Sequence, residues 1–454
     1  MSLNQSRFNI INADIIFSSD KEQSNLIDIR SSIIELVFYE SLHKAYVDAR
    51  IVIIDDFGLR TQLSTTGTER ISLVVADGND PAQGVIEKTF FFSKVNDVVK
   101  SNERSEILSI DLVEDHVFVN AMKTISRSYE STLEDAIIDI AARDLGKEVV
   151  KTNYSEPSAQ GERKTIVPYI SPLEAMYWLR DRMTTRIGSP MFLHGDLFSS
   201  SLFLSSFDKL LQEDVLNKKL PLRYTDATQS GEDEQEGLRI YYEINDFKEV
   251  DAEDQLALYE MGAVGSSYTN IDAGTGQTFT SHVTVRDILD DFYTSGVINK
   301  ATTQSVFDPS LTIGGRPSDE YDAININQVT STNTYNQFKS YHDESLVLEG
   351  DNLSQERLKV KSKIIRHILQ KNVIDISMNG SLFFERRISP GRRLRILFLS
   401  PNAQGDLTDL SKTVDMKKSG DYLLTNTQHR MMDDNHRVSA RLVKLGDLPS
   451  DFSL

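Results

Sequence analysis

Few residues of this chain are spaced for chemistry. His429 and His436 flank Asp433 and Asp434, and imidazoles beside carboxylates are donor types that a divalent metal accepts. Neither His-x-x-x-His nor His-Glu-x-x-His occurs, however. Met432-Asp433-Asp434-Asn435 has the composition of a tight turn between two strands, so no metal ligand is assigned. His194-Gly195-Asp196 stands between two apolar segments in the same way and reads as a hairpin tip. Asp56-Phe57-Gly58 matches the magnesium-binding triplet of protein kinases, but no Gly-rich phosphate loop, strand lysine or catalytic-loop motif accompanies it. It reads as the turn after a strand ending at Ile54. Gly274-Thr275-Gly276 lacks the third glycine and the strand–helix context of a dinucleotide site and reads as a polar loop. No Gly-x-Ser-x-Gly nucleophile elbow is present. With 68 Asp and Glu, carboxylate pairs occur everywhere and carry no glycosidase signal. The expectation is no catalytic residue, no metal and no cofactor.

The unusual cluster is basic: Arg386, Arg387, Arg392, Arg393 and Arg395 crowd around Pro390-Gly391, which reads as a turn between two strands. No aromatic residues interleave with them, as single-stranded nucleic acid would favour. A solvated or intramolecular use and pairing with acidic groups of a neighbouring subunit stay open, with nucleic-acid phosphates the weakest third reading. These five are the candidate protein-interface residues.

The surrounding composition narrows the class of protein. A net charge of −19 opposes a general grip on DNA. The absence of cysteine removes disulfides, thiolate catalysis and cysteine zinc sites, and fits a reducing cytosol. Met1-Ser2-Leu3-Asn4-Gln5 has no charged segment leading into an apolar one, so no signal peptide is expected. No run of about 18 apolar residues occurs, so no membrane span is expected. At roughly 150 residues per domain, the 454 residues suggest about three domains.

The elements that would position these residues begin and end as β structure. Ala49, Ile51 and Ile53, then Ile71, Leu73 and Val75, then Leu108, Ile110 and Leu112 repeat with period two. The pattern turns helical at Leu133, Ala136, Ile137, Ile140 and Ala141, with Ser131 and Glu134 as a capping box and Gly146 as the stop. A second helix starts at Ser171-Pro172 with Glu174 three residues on, and Gly188 is its expected stop. Met191–Leu193 and Ser201–Leu204 predict a hairpin. Residues 226–237 form an acidic loop, and 266–345 are rich in Ser, Thr, Asn, Asp and Gly, reading as an exposed insertion with one short helix near Ile288–Tyr293 and a few edge strands. Residues 353–371 look helical and basic. Ile374, Ile376 and Met378, then Leu394, Ile396 and Phe398, then Val438, Ala440 and Leu442 return to period two.

Three segments, in order, resemble the baseplate central hub protein of T-even-type contractile phages. They are Ile33–Leu42 with Ala49–Ile54 and Thr68–Leu73; Val167-Pro168 through Ser171–Leu179 to Gly188–Leu193; and Ile365–Gly380 with Ile388–Gly391, Ile396–Phe398 and the closing strands at His429–Val443. The insertion at 266–352 and the acidic loop depart from that family. The resemblance implies an α+β, mainly β fold: two tail-tube-like antiparallel β-barrels with α+β domains between and around them. The expected boundaries are 1–122 for the first barrel and 123–212 for an α+β domain. The second barrel starts over 213–265, a polar insertion packing with the α+β domain covers 266–352, and a helix and the rest of the barrel cover 353–447. A tail, 448–454, ends the chain. It further implies a homotrimer that adapts a hexameric tail tube, or its initiator protein, to a trimeric central spike. Wedge proteins of the baseplate would surround it and DNA would pass through its channel only in transit. Its place would be the virion tail, after assembly in the host bacterial cytoplasm. A spike-head or hub component of a related injection machine is the alternative, and a tail-associated cell-wall hydrolase a weaker one.

Overall fold

The computed structural model describes residues 6–16, 26–56, 58–59, 69–78, 84–101, 105–156, 163–224, 242–250, 265–272, 278–298, 312–313, 316–317, 324–330, 355–369, 372–400 and 414–448. The period-two segments form strands whose apolar faces meet in one interior. These are β1 (Phe8–Ile16), β2 (Leu26–Asp28), β3 (Ile33–Ser41), β4 (Asp48–Asp55), β5 (Arg70–Asp77), β6 (Val85–Lys100) and β7 (Glu106–Glu114). They pair in the order β2-β1-β5-β6-β7-β4-β3, all antiparallel. Ile51, Ile53, Ile71, Leu73, Ile110 and Phe90 are completely buried in their shared core. Among the described residues this module is not a closed barrel. Its end strands β2 and β3 are linked by the short turn Arg30–Ser32, because the free edge of β3 is used elsewhere.

The middle of the chain is α+β. It holds α1 (Asp115–Ala121), β8 (Ile125–Ser131), α2 (Leu133–Leu145), β9 (Val149–Lys151), β10 (Arg163–Ile170), α3 (Pro172–Arg180), β11 (Met191–Asp196), β12 (Ser199–Ser206) and α4 (Phe207–Gln212). Ala136, Ile137, Ile140 and Ala141 of α2 pack with Ala175, Met176 and Leu179 of α3. The α2 cap lies one residue later than the Ser131–Glu134 spacing predicts. Ser131 still belongs to β8, and the Thr132 hydroxyl accepts from the Asp135 N–H at 3.1 Å. Gly146 ends α2 with φ 66°. Ser171 caps α3 and its N–H donates to Glu174 at 3.3 Å. This helix stops at Arg180, eight residues before Gly188, which instead makes a later turn with φ 78° against Lys361. β11 and β12 form the expected hairpin, but its tip is Leu197-Phe198. His194 lies inside β11 and is buried.

The remaining strands build a second module. β13 (Leu222–Tyr224), β14 (Glu243–Val250), β20 (Val373–Asn379), β21 (Arg393–Leu397), β22 (Gly420–Met432) and β23 (Asn435–Gly446) pair in the closed cycle β22-β21-β13-β14-β20-β23-β22. Leu222, Ile244, Ile376, Met378, Ile396, Leu424 and Leu442 fill this barrel. A helix, α7 (Ser381–Arg386), precedes β21, so Pro390-Gly391 turns from a helix into a strand and not from strand to strand.

The polar segment before β20 is more ordered than its composition suggests. β15 (Gly265–Asp272) pairs with β16 (Thr278–Thr284) and β19 (Ile324–Thr330), and β17 (Thr312–Ile313) pairs with β18 (Arg316–Pro317). Thr284 and Asp287 cap α5 (Val285–Thr294) reciprocally. Val285, Ile288, Leu289 and Phe292 lie buried against Val360 and Ile364 of α6 (Gln355–Ile368) and Phe207 of α4. The short helix expected near Ile288–Tyr293 is thus present and amphipathic, its apolar positions diluted in sequence by its polar face. The acidic loop at 226–237, Phe57 and Gly274–Gly276 lie outside the described residues. Among the described residues no helix is long and apolar enough to cross a membrane.

Candidate functional site

The two β modules meet on one strand. The start of β22 pairs with β21, from Gly420↔Ile396 to Leu423↔Arg393. Its second half pairs on the same edge with β3, from Asn426↔Ser41 to Met432↔Glu35. An irregularity between Leu424 and Asn426 marks the change of partner. There the Leu42 N–H donates to Thr425 O at 2.8 Å, and the Gly391 N–H donates to Leu424 O at 2.8 Å. β23 covers the other edge through a two-residue hairpin turn in which Asp433 and Asp434 have φ 52° and 58°. That is the backbone a tight hairpin with right-handed strand twist needs. One antiparallel ladder therefore runs from the first module into the second.

Charged groups tie this seam from inside. On β3, Leu36, Phe38 and Glu40 share the buried parity. The Glu40 carboxylate accepts from the Leu197 N–H at 2.7 Å and from the Thr427 hydroxyl at 2.7 Å, joining all three parts of the chain. Its Oε2 also lies 3.5 Å from His429 Nε2. His429 and His436 stack with ring centroids 5.3 Å apart. The tip of the β11–β12 hairpin wedges in beside them, with Phe198 edge-on to Phe384 and the Ser389 hydroxyl donating to Asp196 at 2.7 Å. Nearby, Lys88 donates to Glu114 at 2.8 Å and to Ser199 O at 2.6 Å, while Glu114 accepts from the Val47 N–H at 2.8 Å. Both side chains are 5 % exposed. Buried charges persist only when paired and hydrogen-bonded, and each of these is.

The structure disperses the arginine cluster. Arg395 forks onto Asp421 at 2.7 and 3.1 Å. Arg393 donates to the Leu211 and Glu213 carbonyls, and burial holds its guanidinium below the usual range. Arg392 pairs with Glu213. Arg386 is exposed and donates to Leu216 O at 3.2 Å and Tyr242 Oη at 3.3 Å. Arg387 is exposed with φ 46° at the end of α7. Four of the five thus bond within the chain, and Arg386 and Arg387 are the two exposed ones.

His429 and His436 come together as their flanking of a turn suggested, but Asp433 and Asp434 are not with them. Among the described residues no group of three or more His, Asp or Glu is arranged to hold a metal. Glu40, Lys88 and Glu114 went unmarked in the sequence. The available signal was parity: each continues an apolar period-two series (36, 38, 40; 86, 88, 90; 110, 112, 114) onto a charge. At the seam itself, Tyr39 and Gln428 line a groove of about 490 Å³ together with Asp48, Lys248, Asp375 and Arg441.

No protein-family model matches the sequence, and no curated protein matches it. Solved structures do. A tail protein from Neisseria meningitidis MC58 superposes with a TM-score of 0.51 at 12 % identity, over 96 % of this chain and 97 % of that one. The 43 kDa tail protein of prophage MuSo2 from Shewanella oneidensis gives 0.50 at 11 % identity, over 95 % and 98 %. From end to end, this chain has the mainly β fold of these tail proteins.

Proposed function

We propose that this chain is the central hub of a contractile phage baseplate, a trimeric ring that adapts a hexameric tail tube to a trimeric central spike. The observation that carries the reading is the seam. Two β modules lie side by side on one ladder, in a fold shared with tail proteins over nearly their whole length. Three copies of a two-module chain present six modules in pseudo-sixfold array on one face and keep threefold symmetry on the other. Closed rotational symmetry requires such repeated interfaces to close on themselves. Antiparallel modules suit a tube wall because pairing hides their edges.

In this role the protein acts by shape and interface chemistry, without a catalytic group. Its partners are two further copies, the tube or its initiator, the spike and the surrounding wedge proteins. Its place is the virion tail, after assembly in the bacterial cytoplasm. The charge of −19 suits a channel that DNA crosses without adhering. Arg386 and Arg387, the two cluster members facing solvent, are the ones positioned to meet acidic groups of a neighbour.

Light scattering on the purified chain, alone and with its spike partner, tests the reading. A trimeric mass in either sample is expected, and a strict monomer in both contradicts it. A peptidoglycan zymogram of the same protein is expected to stay dark; a cleared band would assign it hydrolase activity instead.

A further inference from the structure

The Glu40–His429–His436 chain at the seam has a proton capacity that its geometry fixes. Both imidazoles are completely buried. His429 Nδ1 and His436 Nε2 are 3.2 Å apart, so one hydrogen sits between them. His429 Nε2 lies 3.5 Å from a Glu40 carboxylate oxygen without forming a hydrogen bond to it. With the His429 ring hydrogen on the nitrogen nearer Glu40, His429 Nδ1 accepts, His436 Nε2 donates and His436 Nδ1 is bare. That atom has no hydrogen-bond partner. It is also tightly enclosed: a Cβ on Gly380 would come within 2.0 Å of it.

The groups around the pair offer little to a second charge. From β3 comes Glu40, and from β22 Thr427, whose hydroxyl is already given to Glu40. From α7 come the rings of Phe383 and Phe384, the latter 4.7 Å from His436. From the N-terminal segment comes the Ser6 carbonyl, taken by the His436 backbone N–H at 2.7 Å. Two imidazolium rings here would be in stacked contact, with a single carboxylate on the outer side of His429 and, among the described residues, none facing His436. Burial, and then His429, hold His436 well below the usual imidazole range.

We propose that Glu40, His429 and His436 form an acid-sensitive latch, which holds at most one proton while the β3–β22 seam is closed and opens the seam when the second histidine is protonated. The unfolded or opened segment takes two protons below about pH 6.5, the ordinary imidazole value. The closed seam keeps His436 neutral and so binds fewer. Acid therefore favours opening, by up to tenfold per pH unit below that value. This goes beyond the hub reading and does not depend on it, since it concerns a seam within one chain.

Hydrogen exchange on the full chain at pH 7.5 and 5.5, corrected for intrinsic rates, reads the latch directly. In peptides covering 35–41 and 426–432 the opening constant is expected to rise roughly tenfold at pH 5.5, with a smaller rise in the α2–α3 helices. His436→Gln is expected to flatten this response, and His194→Gln, on the neighbouring hairpin, to leave it. Protection of the seam that is equal at both pH values in the unmodified protein overturns the proposal whether or not the variants fold. So does an unchanged response in a folded His436→Gln protein.

Discussion

At the scale of single residues, the chain differs from an ordinary β protein in how it uses inward-pointing charge. Asp421 is the counter-ion for both Arg395 and Arg393, and the side chains of Arg395 and Asp421 are 9 % and 11 % exposed. Removing one partner of a buried pair strands the other, at a cost of about 3–5 kcal/mol. Asp421→Asn is expected to lower the unfolding free energy in urea by at least about 3 kcal/mol. Arg387→Gly is expected to do the reverse, gaining up to about 1 kcal/mol by relieving a left-handed backbone in an exposed residue. The cluster was legible as five arginines, but the burial of Arg393 and Arg395 was not. Leu394 and Ile396 face the barrel, so parity sends Arg393 and Arg395 outward, where the segment carrying Glu213 and Asn217 covers them. That cover comes from about 180 positions away in the sequence. Titration follows the same burial. Burial, helped by Arg180 and Arg366, depresses His43 to about 4, and burial depresses His194 as well. Below about pH 6.5 the unfolded chain binds protons that these folded histidines refuse. Thermal stability is therefore expected to be flat above that pH and to fall as acid is added toward 4. A melting temperature that rises on acidification from pH 7 to 5 would contradict the burial of these rings.

At the scale of elements, local chemistry wrote most of the strands and helices and missed some of their ends. The two-residue turn at Asp433-Asp434 was readable because short polar side chains tolerate the left-handed region better than others. Even so, glycine suits such a turn better, and Asp434→Gly is expected to raise stability by up to about 1 kcal/mol in thermal melts. The hairpin tip was misplaced onto His194-Gly195-Asp196 because His194 looks polar, whereas it stacks on Phe203 in the interior. Gly188 looked like a helix stop because glycine favours positive φ, and it does adopt it, but in a tight turn under α6. The α5 helix was only hinted at, since four buried positions among acidic neighbours make a weak signal without α6 beside them. Close approach makes one further position unforgiving. Gly84 has φ 68° and a Cβ there would lie 2.1 Å from the Phe384 carbonyl oxygen. Gly84→Ala is expected to cost about 1–3 kcal/mol, and a neutral effect on melting would argue that the β5–β6 turn does not pack on α7.

At the scale of the whole molecule, period two foretold a mainly β chain but not that its first module would leave its sheet open. Closure depends on which edges meet, and an edge carries no mark in a single strand's alternation. Here β3 gives its edge to β22, so the modules are joined by main-chain hydrogen bonds and by the Glu40–Thr427 hydrogen bond. A rigid pair of modules is what a ring of three chains needs if it is to show six equivalent-looking positions to a tube. Electron microscopy of the protein, alone and with the spike proposed as its partner, tests this most directly. End-on views are expected to show a threefold ring with six β modules around an open channel, two from each chain. Isolated particles with two modules each, or a ring whose module count is not six, would contradict it.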